Sequence, residues 1–304
     1  MGVNHPESAQ RDQDLQSLID ASQTYQPEGD HKLLSDVWHF ARKAHRGQHR
    51  LDGKAFFSHP VSVAHILSER KADIACLCAG LLHDVVEDTD VELADLRKAF
   101  GPEIATIVDG VTKLSKIEGR NLSQDEYTAH NLNKLVSAIT SDVRVLVVKL
   151  ADRMHNMRTI QVMKPEKQRR IAVETQDYYV PFARYIAIEL WADELQELVF
   201  EILNPEGYQS IKRNLERHYQ GSSNESAKAI RQKLEDDLKG FGIKAHVSGR
   251  MKAPYSIWLK MRTRKVSFQQ LSDVMAFRVV IDNADDCYRV LGHLHRRYQL
   301  RPGR

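Results

Sequence analysis

Four ionisable side chains fall within six positions at the end of an apolar stretch, in the segment 81–88. They are His83, Asp84, Glu87 and Asp88. On one continuous helix His83 would share a face with Glu87, and Asp84 with Asp88, because residues four apart are neighbours. Three acids beside one histidine repel each other unless a cation or solvent offsets their charge, and a divalent metal ion would do so. A solvated acidic helix end is the structural alternative.

Two more segments supply candidate ligands. His59 directly precedes a proline at a predicted helix start, and Asp152 follows the apolar run 142–150, with His155 and Asn156 one turn further on. Mixed histidine and carboxylate ligation suits Mn²⁺, Fe²⁺, Zn²⁺ or Mg²⁺, and the share of carboxylates favours the harder ions. The three segments together predict one metal site. Its predicted ligands are His59, His83, Asp84 and Asp152.

The elements that must position these residues are mainly helices. Apolar residues recur at helical spacing from about residue 33 to 203, and the stretches 72–86 and 93–100 are each interpreted as one helix. The segment 142–150 is dense in β-branched residues and by propensity alone favours a strand. Residues 1–29 are polar and end in Pro-Glu-Gly, which predicts a mobile leader.

The character of the chain changes near residue 205. A charged helical pattern covers 208–239, with an interruption near 221–224. The segment 240–248 favours a turn followed by a strand, and 276–281 favours a strand. Strands together with helices predict a second domain of the α+β class.

Composition excludes several classes of protein. The 304 residues include 44 basic and 41 acidic ones, and the net charge of +3 gives no global field for nucleic acid or a membrane surface. The chain has no apolar run of about 20 residues and no signal-peptide core near its start. Cys76 and Cys78 lack the C-x-x-C spacing of zinc or redox sites. We therefore expect a cytoplasmic enzyme without DNA or membrane partners.

The combined motifs closely resemble those of the long RelA/SpoT-type alarmone enzymes, which make and degrade (p)ppGpp. In the first domain the matching motifs are AHRGQ at 44–48, Arg50 through the His59-Pro60 pair, LHDVVEDT at 82–89, VDGVTK at 108–113 and KLADRMHNMRT at 149–159. In the second domain they are GRMKAPYSIWLKM at 249–261, DVMAFR at 273–278 and DCY at 286–288. The resemblance covers about residues 30 to 304.

The resemblance implies a mainly α fold, in which an all-helical HD-type hydrolase domain precedes a partial, α+β nucleotidyltransferase-like synthetase domain. The expected organisation is a leader at 1–29, the hydrolase domain at 30–175, connecting helices at 176–204 and the incomplete synthetase domain at 205–304. It also implies that 142–150 is helical, so that tertiary context would override its strand propensity.

For the hydrolase, the resemblance implies that the four ligands hold Mn²⁺ and that Glu87 and Asp88 position and activate the attacking water. It places Arg50 near the guanine base and assigns nucleotide contacts to Asn156 and Thr159. The expected reaction removes the 3′-pyrophosphate of (p)ppGpp and leaves GDP or GTP, with the metal lowering the pKa of water and offsetting phosphate charge. Further candidates for offsetting that charge are Arg46, Lys54, Arg153 and Arg158.

The chain departs from the family pattern at the predicted base-side wall. Leu51 replaces the usual basic residue, and Phe56 lacks the usual hydroxyl. These departures affect the expected guanine contacts and leave the expected metal ligands intact.

In the second domain, Arg250, Lys252 and Lys260 match ATP contacts, and Asp273 matches a Mg²⁺-binding acid. The family's GDP-binding loop and second magnesium acid have no match before residue 304, so we expect this chain, as a fragment, to lack synthetase activity although ATP and Mg²⁺ could bind. Three alternatives stay open. They are a bifunctional synthetase and hydrolase in the full-length protein, an HD phosphohydrolase of another nucleotide, and a catalytically silent nucleotide sensor.

Overall fold

The computed structural model describes residues 6–118, 142–218, 223–271 and 273–298. The chain divides into two compact units, Met1–Leu195 and Gln196–Arg304. The first unit is helical in its described residues, and the second combines helices with a two-stranded sheet. The predicted mainly α fold class is confirmed. The unit boundary falls before the predicted change at residue 205, inside the helix Glu189–Leu203.

Nine α-helices lie in the described part of the first unit, and a tenth crosses the unit boundary at Leu195. They are α1 (Pro6–Gln23), α2 (His31–Ala44), α3 (Ser58–Ser68), α4 (Ile74–Leu82), α5 (Val85–Asp88), α6 (Leu93–Glu118), α7 (Val143–Arg158), α8 (Pro165–Glu174), α9 (Val180–Tyr185) and α10 (Glu189–Leu203). A 3₁₀ turn at Ile160–Val162 follows α7, and a π-helical turn at Thr175–Tyr179 joins α8 to α9.

Helix α4 lies at the centre of the first unit. It packs against α2, α3, α6 and α7, and all nine of its residues except Ala75 are buried. A helix that is apolar on every side is expected to be surrounded by other elements. Gly80 permits the close approach of α3, since a Cβ there would lie 2.6 Å from Leu67 Cδ1.

The helix α7 confirms what the resemblance implied and corrects the strand favoured by propensity. It begins after Asp142, whose side chain caps it by accepting from the Arg144 backbone N–H. Val145, Leu146 and Val148 are buried in this helix, which packs against α3 and α6. Burial on several sides stabilises β-branched residues in a helix as well as in a strand, so tertiary packing decides.

The stretch expected to be a mobile leader is largely a docked helix, and the prediction is wrong there. Leu18 and Ser22 of α1 are fully buried, and α1 packs against α2 and α3. Beyond the helix, the Tyr25 hydroxyl donates to the Ala72 carbonyl oxygen at 2.9 Å. One narrow apolar stripe is enough to dock a helix whose average composition is polar.

The predicted single helix over 72–86 is broken where the chemistry lies. Helix α4 ends at Leu82, His83 and Asp84 form a turn, and α5 begins at Val85. The Asp84 carbonyl accepts from the backbone N–H groups of both Glu87 and Asp88. The expected one-turn relation of Asp84 to Asp88 therefore survives, whereas His83 and Glu87 do not share one continuous helix.

The predicted helix stop after residue 100 is confirmed. Gly101 has φ 88° and ψ 169°, which interrupts α6 between two regular stretches. A positive φ of this size favours glycine, and Pro102 then opens the second stretch.

The second unit contains four further helices and an antiparallel strand pair. They are α11 (Pro205–His218), α12 (Ser223–Gly240), β1 (His246–Met251), α13 (Pro254–Arg264), β2 (Met275–Val280) and α14 (Ala284–Arg297). Gly249 pairs with Phe277 in the register. In the segment 240–248, predicted as a turn and a strand, the strand begins at His246. Residues 221 and 222 of the predicted interruption near 221–224 lie outside the described residues, and 223 and 224 belong to α12. No helix among the described residues is both long and apolar enough to cross a membrane.

Candidate metal centre

The four predicted ligands converge in the first unit. His59 Nε2 lies 3.2 Å from His83 Nε2, 3.5 Å from Asp84 Oδ2 and 3.2 Å from Asp152 Oδ1. His83 Nε2 lies 3.1 Å from Asp84 Oδ2 and 3.9 Å from Asp152 Oδ1. Two nitrogens and two carboxylate oxygens thus face one point.

Packing between helices creates this convergence. His59 lies in the first turn of α3, His83 and Asp84 lie in the turn after α4, and Asp152 lies in the middle of α7. Because α3 packs against both α4 and α7, the three segments meet at one place. His59, His83 and Asp152 are 5%, 1% and 6% exposed.

Hydrogen bonds behind the ligands fix their orientation. His83 Nδ1 lies 2.8 Å from the Gly80 carbonyl oxygen and donates to it, so Nε2 is the nitrogen that would bind a metal ion. The Lys149 ammonium contacts Asp152 Oδ2 at 3.0 Å, and Asn156 Nδ2 donates to Asp152 Oδ1 at 2.6 Å. Asn156, predicted to contact nucleotide, therefore holds a ligand carboxylate.

The electrostatics of the cluster are those of a site that needs a cation. Burial would lower the pKa of His83, but the Asp84 and Asp152 carboxylates outweigh it and raise that pKa to about 9. The pKa of Asp152 lies well below its usual value, because Lys149 and the histidines outweigh the effect of burial. Without a metal ion, a proton on His83 supplies part of the positive charge that offsets the two carboxylates.

The donor set fits a divalent metal ion. Two imidazole nitrogens and two carboxylate oxygens match mixed N/O ligation. His59, His83 and Asp84 by themselves already bring ligand atoms within 4.8 Å of one another. Both carboxylates are ionised at neutral pH, since neighbouring cations lower the pKa values of Asp84 and Asp152.

The two predicted water-handling acids lie beside the cluster on α5. Glu87 and Asp88 are both exposed. Partial burial and the charge of Asp84 raise the pKa of Asp88, which makes its carboxylate a better proton acceptor. Gln48 Nε2 donates to the Asp88 carbonyl oxygen at 2.7 Å, and Gln48 Oε1 lies 2.8 Å from His45 Nδ1. The backbone of α5 is thereby tied to the turn after α2.

The predicted nucleotide contacts Arg50 and Thr159 meet at the end of α7. Arg50 Nη2 donates to Thr159 Oγ1 at 3.4 Å, and Arg50 Nη1 lies 3.3 Å from His155 Nδ1. A tight loop presents the arginine, since its N–H donates to the Lys54 carbonyl and Gly53 has φ 82°. The Arg50 guanidinium group and the predicted metal ligand His59 thus contact the same side chain, His155.

Comparison with known proteins agrees with this geometry. The family model described as "HD domain" matches residues 37–188, half of the chain, and the model "Region found in RelA / SpoT proteins" matches residues 249–304. The chain belongs to the HD domain family and also carries a region found in RelA/SpoT proteins. HD domains are metal-dependent hydrolases, in agreement with the histidine and aspartate cluster.

Curated relatives align with nearly the whole chain. "GTP pyrophosphokinase rsh" of Brucella melitensis is 42% identical over 94% of this chain and 38% of its own length. "Bifunctional (p)ppGpp synthase/hydrolase SpoT" of Escherichia coli K12 is 43% identical over 95% of this chain and 41% of its own length. The chain spans about two fifths of the length of these relatives.

Four basic residues were suggested to offset phosphate charge, and their contacts in the described part of the chain are with groups other than the predicted metal ligands. Arg153 pairs with Glu174 at 3.3 Å and lies 4.1 Å above the Tyr179 ring. Arg158 pairs with Glu194 at 2.6 Å. Arg46 and Lys54 line a cavity of about 1130 Å³, to which α3 contributes Ser58, Val61, Ser62 and His65 but not His59. Among the basic residues predicted to bind substrate, Arg50 lies next to the cluster through its contact with His155.

Leu51 and Phe56, which depart from the family pattern at the predicted base-side wall, have different surroundings. The Leu51 side chain is 77% exposed. The Phe56 ring packs against His45 with centroids 4.8 Å apart and lies edge-on to His59 at 6.4 Å. Phe56, which lacks the usual hydroxyl, therefore lies beside the predicted metal ligand His59, whereas Leu51 is exposed to solvent.

Two residues with contacts in the site received no role from the sequence. Lys149 and His155 lie three residues before and after Asp152, so helical spacing puts them near the same face. That spacing was the available signal. It could not show that Lys149 pairs with Asp152 or that His155 Nδ1 lies 2.7 Å from His59 Nδ1.

In the region shared with RelA/SpoT proteins, the predicted synthetase residues form a smaller cluster. Asp273 Oδ2 pairs with the ammonium groups of Lys252, at 2.9 Å, and Lys260. Hydrogen bonds from Lys260 and then Lys252 lower the pKa of Asp273. Arg250 lies on β1 opposite Ala276. The predicted magnesium acid is therefore balanced by two lysines.

Proposed function

We propose that this chain hydrolyses (p)ppGpp at its 3′-pyrophosphate, releasing pyrophosphate and GDP or GTP, with Mn²⁺ held by His59, His83, Asp84 and Asp152. One observation carries the proposal. The buried ligand cluster lies beside the contact of Arg50 with Thr159, so that a phosphate-binding metal and a planar cation for a nucleotide share one site. The relatives named for (p)ppGpp hydrolysis support the choice of substrate.

The bound metal ion would supply Lewis-acid chemistry, making water a better nucleophile near neutral pH and offsetting charge on the pyrophosphate. The protein groups do the rest. Lys149 and Asn156 hold the Asp152 carboxylate from two sides, and Gly80 holds His83. Because these bonds exist before substrate arrives, the site requires little reorganisation during the reaction.

Proton transfer is assigned to the acids of α5. The Asp88 carboxylate, with its raised pKa, accepts a proton from the attacking water, and Glu87 orients that water. The oxygen of the water forms a new bond to the phosphorus next to the ribose 3′ oxygen. The bond from this phosphorus to the 3′ oxygen breaks, and the departing oxygen takes up a proton.

Recognition of the base is assigned to Arg50. Its planar guanidinium stacks on a purine ring while its N–H groups stay bonded to α7. Thr159 supplies a hydroxyl next to it. Asn156 acts through Asp152 in this proposal, since its amide already donates to that carboxylate.

The test is release of pyrophosphate from ppGpp with added Mn²⁺. Asp84→Ala and Glu87→Ala should each lower the rate by about 100-fold or more, as expected for loss of a metal ligand or an acid–base group. Asp90→Ala, an exposed acid just beyond α5, is the matched control and should keep full activity. Equal rates in all four proteins would contradict the mechanism.

The choice of substrate is tested in the same assay. The synthetase prediction is tested by incubating the chain with ATP and GDP. Faster hydrolysis of other guanine or adenine nucleotides than of ppGpp would favour an HD phosphohydrolase of another substrate. No release from a wild-type chain that binds Mn²⁺ would favour a silent nucleotide sensor. Formation of alarmone from ATP and GDP would refute the prediction that this chain lacks synthetase activity.

A further inference from the structure

We propose that His155 is a positioning residue that fixes His59 in its metal-binding tautomer and links this ligand to Arg50. His155 takes part in no step of the proposed hydrolysis. The inference deepens the proposed function, because it concerns the same site. The main test is Mn²⁺ binding in the absence of nucleotide. The positioning role of His155 can therefore fail while the proposed hydrolysis holds, and the hydrolysis can fail while the positioning role holds.

The contacts of one nitrogen atom decide the tautomer. His155 Nδ1 lies 2.7 Å from His59 Nδ1 and 3.3 Å from Arg50 Nη1. A guanidinium group can only donate hydrogen bonds, so His155 Nδ1 accepts from Arg50 and carries no proton. The single lone pair of His155 Nδ1 is then shared between the Arg50 N–H and a proton on His59 Nδ1, which lies in the short contact between the two imidazoles.

This assignment leaves the lone pair of neutral His59 on Nε2. That nitrogen faces the cluster, within 3.2 to 3.5 Å of His83 Nε2, Asp84 Oδ2 and Asp152 Oδ1. A metal-binding histidine usually donates its other N–H to an acceptor that fixes the ring. The Gly80 carbonyl fills this role for His83, and the His155 ring fills it for His59.

His155 is itself held from both sides. Its carbonyl accepts from the Thr159 N–H at 3.1 Å and from the Thr159 hydroxyl at 2.9 Å, which closes the last turn of α7. Arg50 spans from the His155 ring to the Thr159 hydroxyl. The chain of contacts from metal ligand to nucleotide-binding arginine is thus His59, His155, Arg50.

Packing alone could also explain the position of His155, because its ring lies against His59 with centroids 4.7 Å apart. Two substitutions separate the explanations. His155→Leu keeps an apolar side chain of similar size and removes the acceptor. His155→Gln can offer its amide oxygen to His59 Nδ1 and Arg50. The control is His65→Leu, a half-buried histidine of α3 outside the site.

The first measurement is the Kd for Mn²⁺ alone, from titration of free Mn²⁺ followed by electron paramagnetic resonance. His155→Leu should weaken binding about 10- to 100-fold, and His155→Gln should stay within about threefold of wild type. His65→Leu should bind as wild type does. Wild-type affinity in His155→Leu, or equal losses in the Leu and Gln variants, would overturn the proposal.

A second measurement holds even if His155→Leu fails to fold. Nitrogen chemical shifts of histidine in the metal-free wild type, with His59 neutral, should show His59 protonated at Nδ1. Protonation at Nε2 would overturn the proposal. In the ppGpp assay, saturating Mn²⁺ should restore the rate of His155→Leu, and a rate that stays low would instead make His155 a catalytic residue. If the wild type hydrolyses no ppGpp, the proposed function fails and the Mn²⁺ comparison still decides the role of His155.

Discussion

Each unit of this chain pairs an aspartate with lysine, in very different surroundings. Asp152 and its partner Lys149 are 6% and 4% exposed, and Asp152 also faces two histidines. Asp273 pairs with Lys252 and Lys260 at a partly exposed position of the second unit. The first cluster also contains Asp84, so one lysine faces two carboxylates and negative charge remains for a metal ion, whereas in the second two lysines face one carboxylate. Burial and the balance of charge, more than residue types, separate the two clusters.

The same substitution in both clusters should give the largest difference. Asp152→Asn removes the buried negative charge that pairs with Lys149 and should lower the free energy of unfolding by about 3 kcal/mol. Asp273→Asn removes partly exposed ion pairs and should cost at most about 1 kcal/mol. Urea unfolding in the presence of EDTA measures both. Equal losses would show that the two clusters do not differ in this way.

Metal addition should stabilise the first unit alone. At a Mn²⁺ concentration 100 times the Kd, binding contributes about 2.7 kcal/mol, which corresponds to a rise in Tm of about 5 to 10 °C for a unit of this size. Differential scanning calorimetry should show the shift in one transition and not in the other. Asp84→Ala should abolish it, and a shift of the second unit's transition would place a metal ion there as well.

Two glycines test how tightly each unit is packed near its cluster. In Gly80→Ala the new Cβ would lie 2.6 Å from Leu67 in the core, which should cost about 1 to 3 kcal/mol. It should also weaken Mn²⁺ binding, because the Gly80 carbonyl holds His83. In Gly249→Ala the new Cβ would lie 2.4 Å from the Phe277 ring, which must shift; because this ring is only half-buried, the expected cost is about 1 kcal/mol, below that of Gly80→Ala.

Thermal unfolding and Mn²⁺ titration of the two glycine variants give these values. A larger loss of stability in Gly249→Ala than in Gly80→Ala would reverse the comparison.

The three cysteines should differ in their reactivity toward a thiol reagent. This difference in reactivity is the smallest expected effect and involves no change in stability. Burial raises the pKa of the Cys76 thiol to about 12, so roughly one molecule in ten thousand carries its thiolate at pH 8. Burial raises the pKa of Cys78 as well, whereas Cys287 of the second unit is exposed. Iodoacetamide at pH 8 should label Cys287 alone in the folded chain and all three after denaturation. Peptide mass spectrometry reads this out, and rapid native labelling of Cys76 would contradict the packing of α4.

The sequence predicted most of the helices, and the structure brings the four predicted metal ligands together. Helical spacing and helix ends are local, so α6 with its stop at Gly101 could be predicted from neighbouring residues. Leu18 was missed because docking of α1 depends on the surfaces of α2 and α3. The strand propensity of 142–150 misled for the same reason, since burial between helices outweighs it.

By itself, the sequence determined which chemistry this chain could host. Histidines and aspartates in three recognisable segments supply metal ligands, because side-chain type alone decides what can coordinate a divalent ion. Only the tertiary structure decided how those groups are oriented. The break of the helix at His83 and the contact of His59 with His155 depend on residues brought together by packing. A hydrogen bond between residues nearly one hundred positions apart has no signature in local spacing, and it is this contact that fixes the protonation of a predicted ligand.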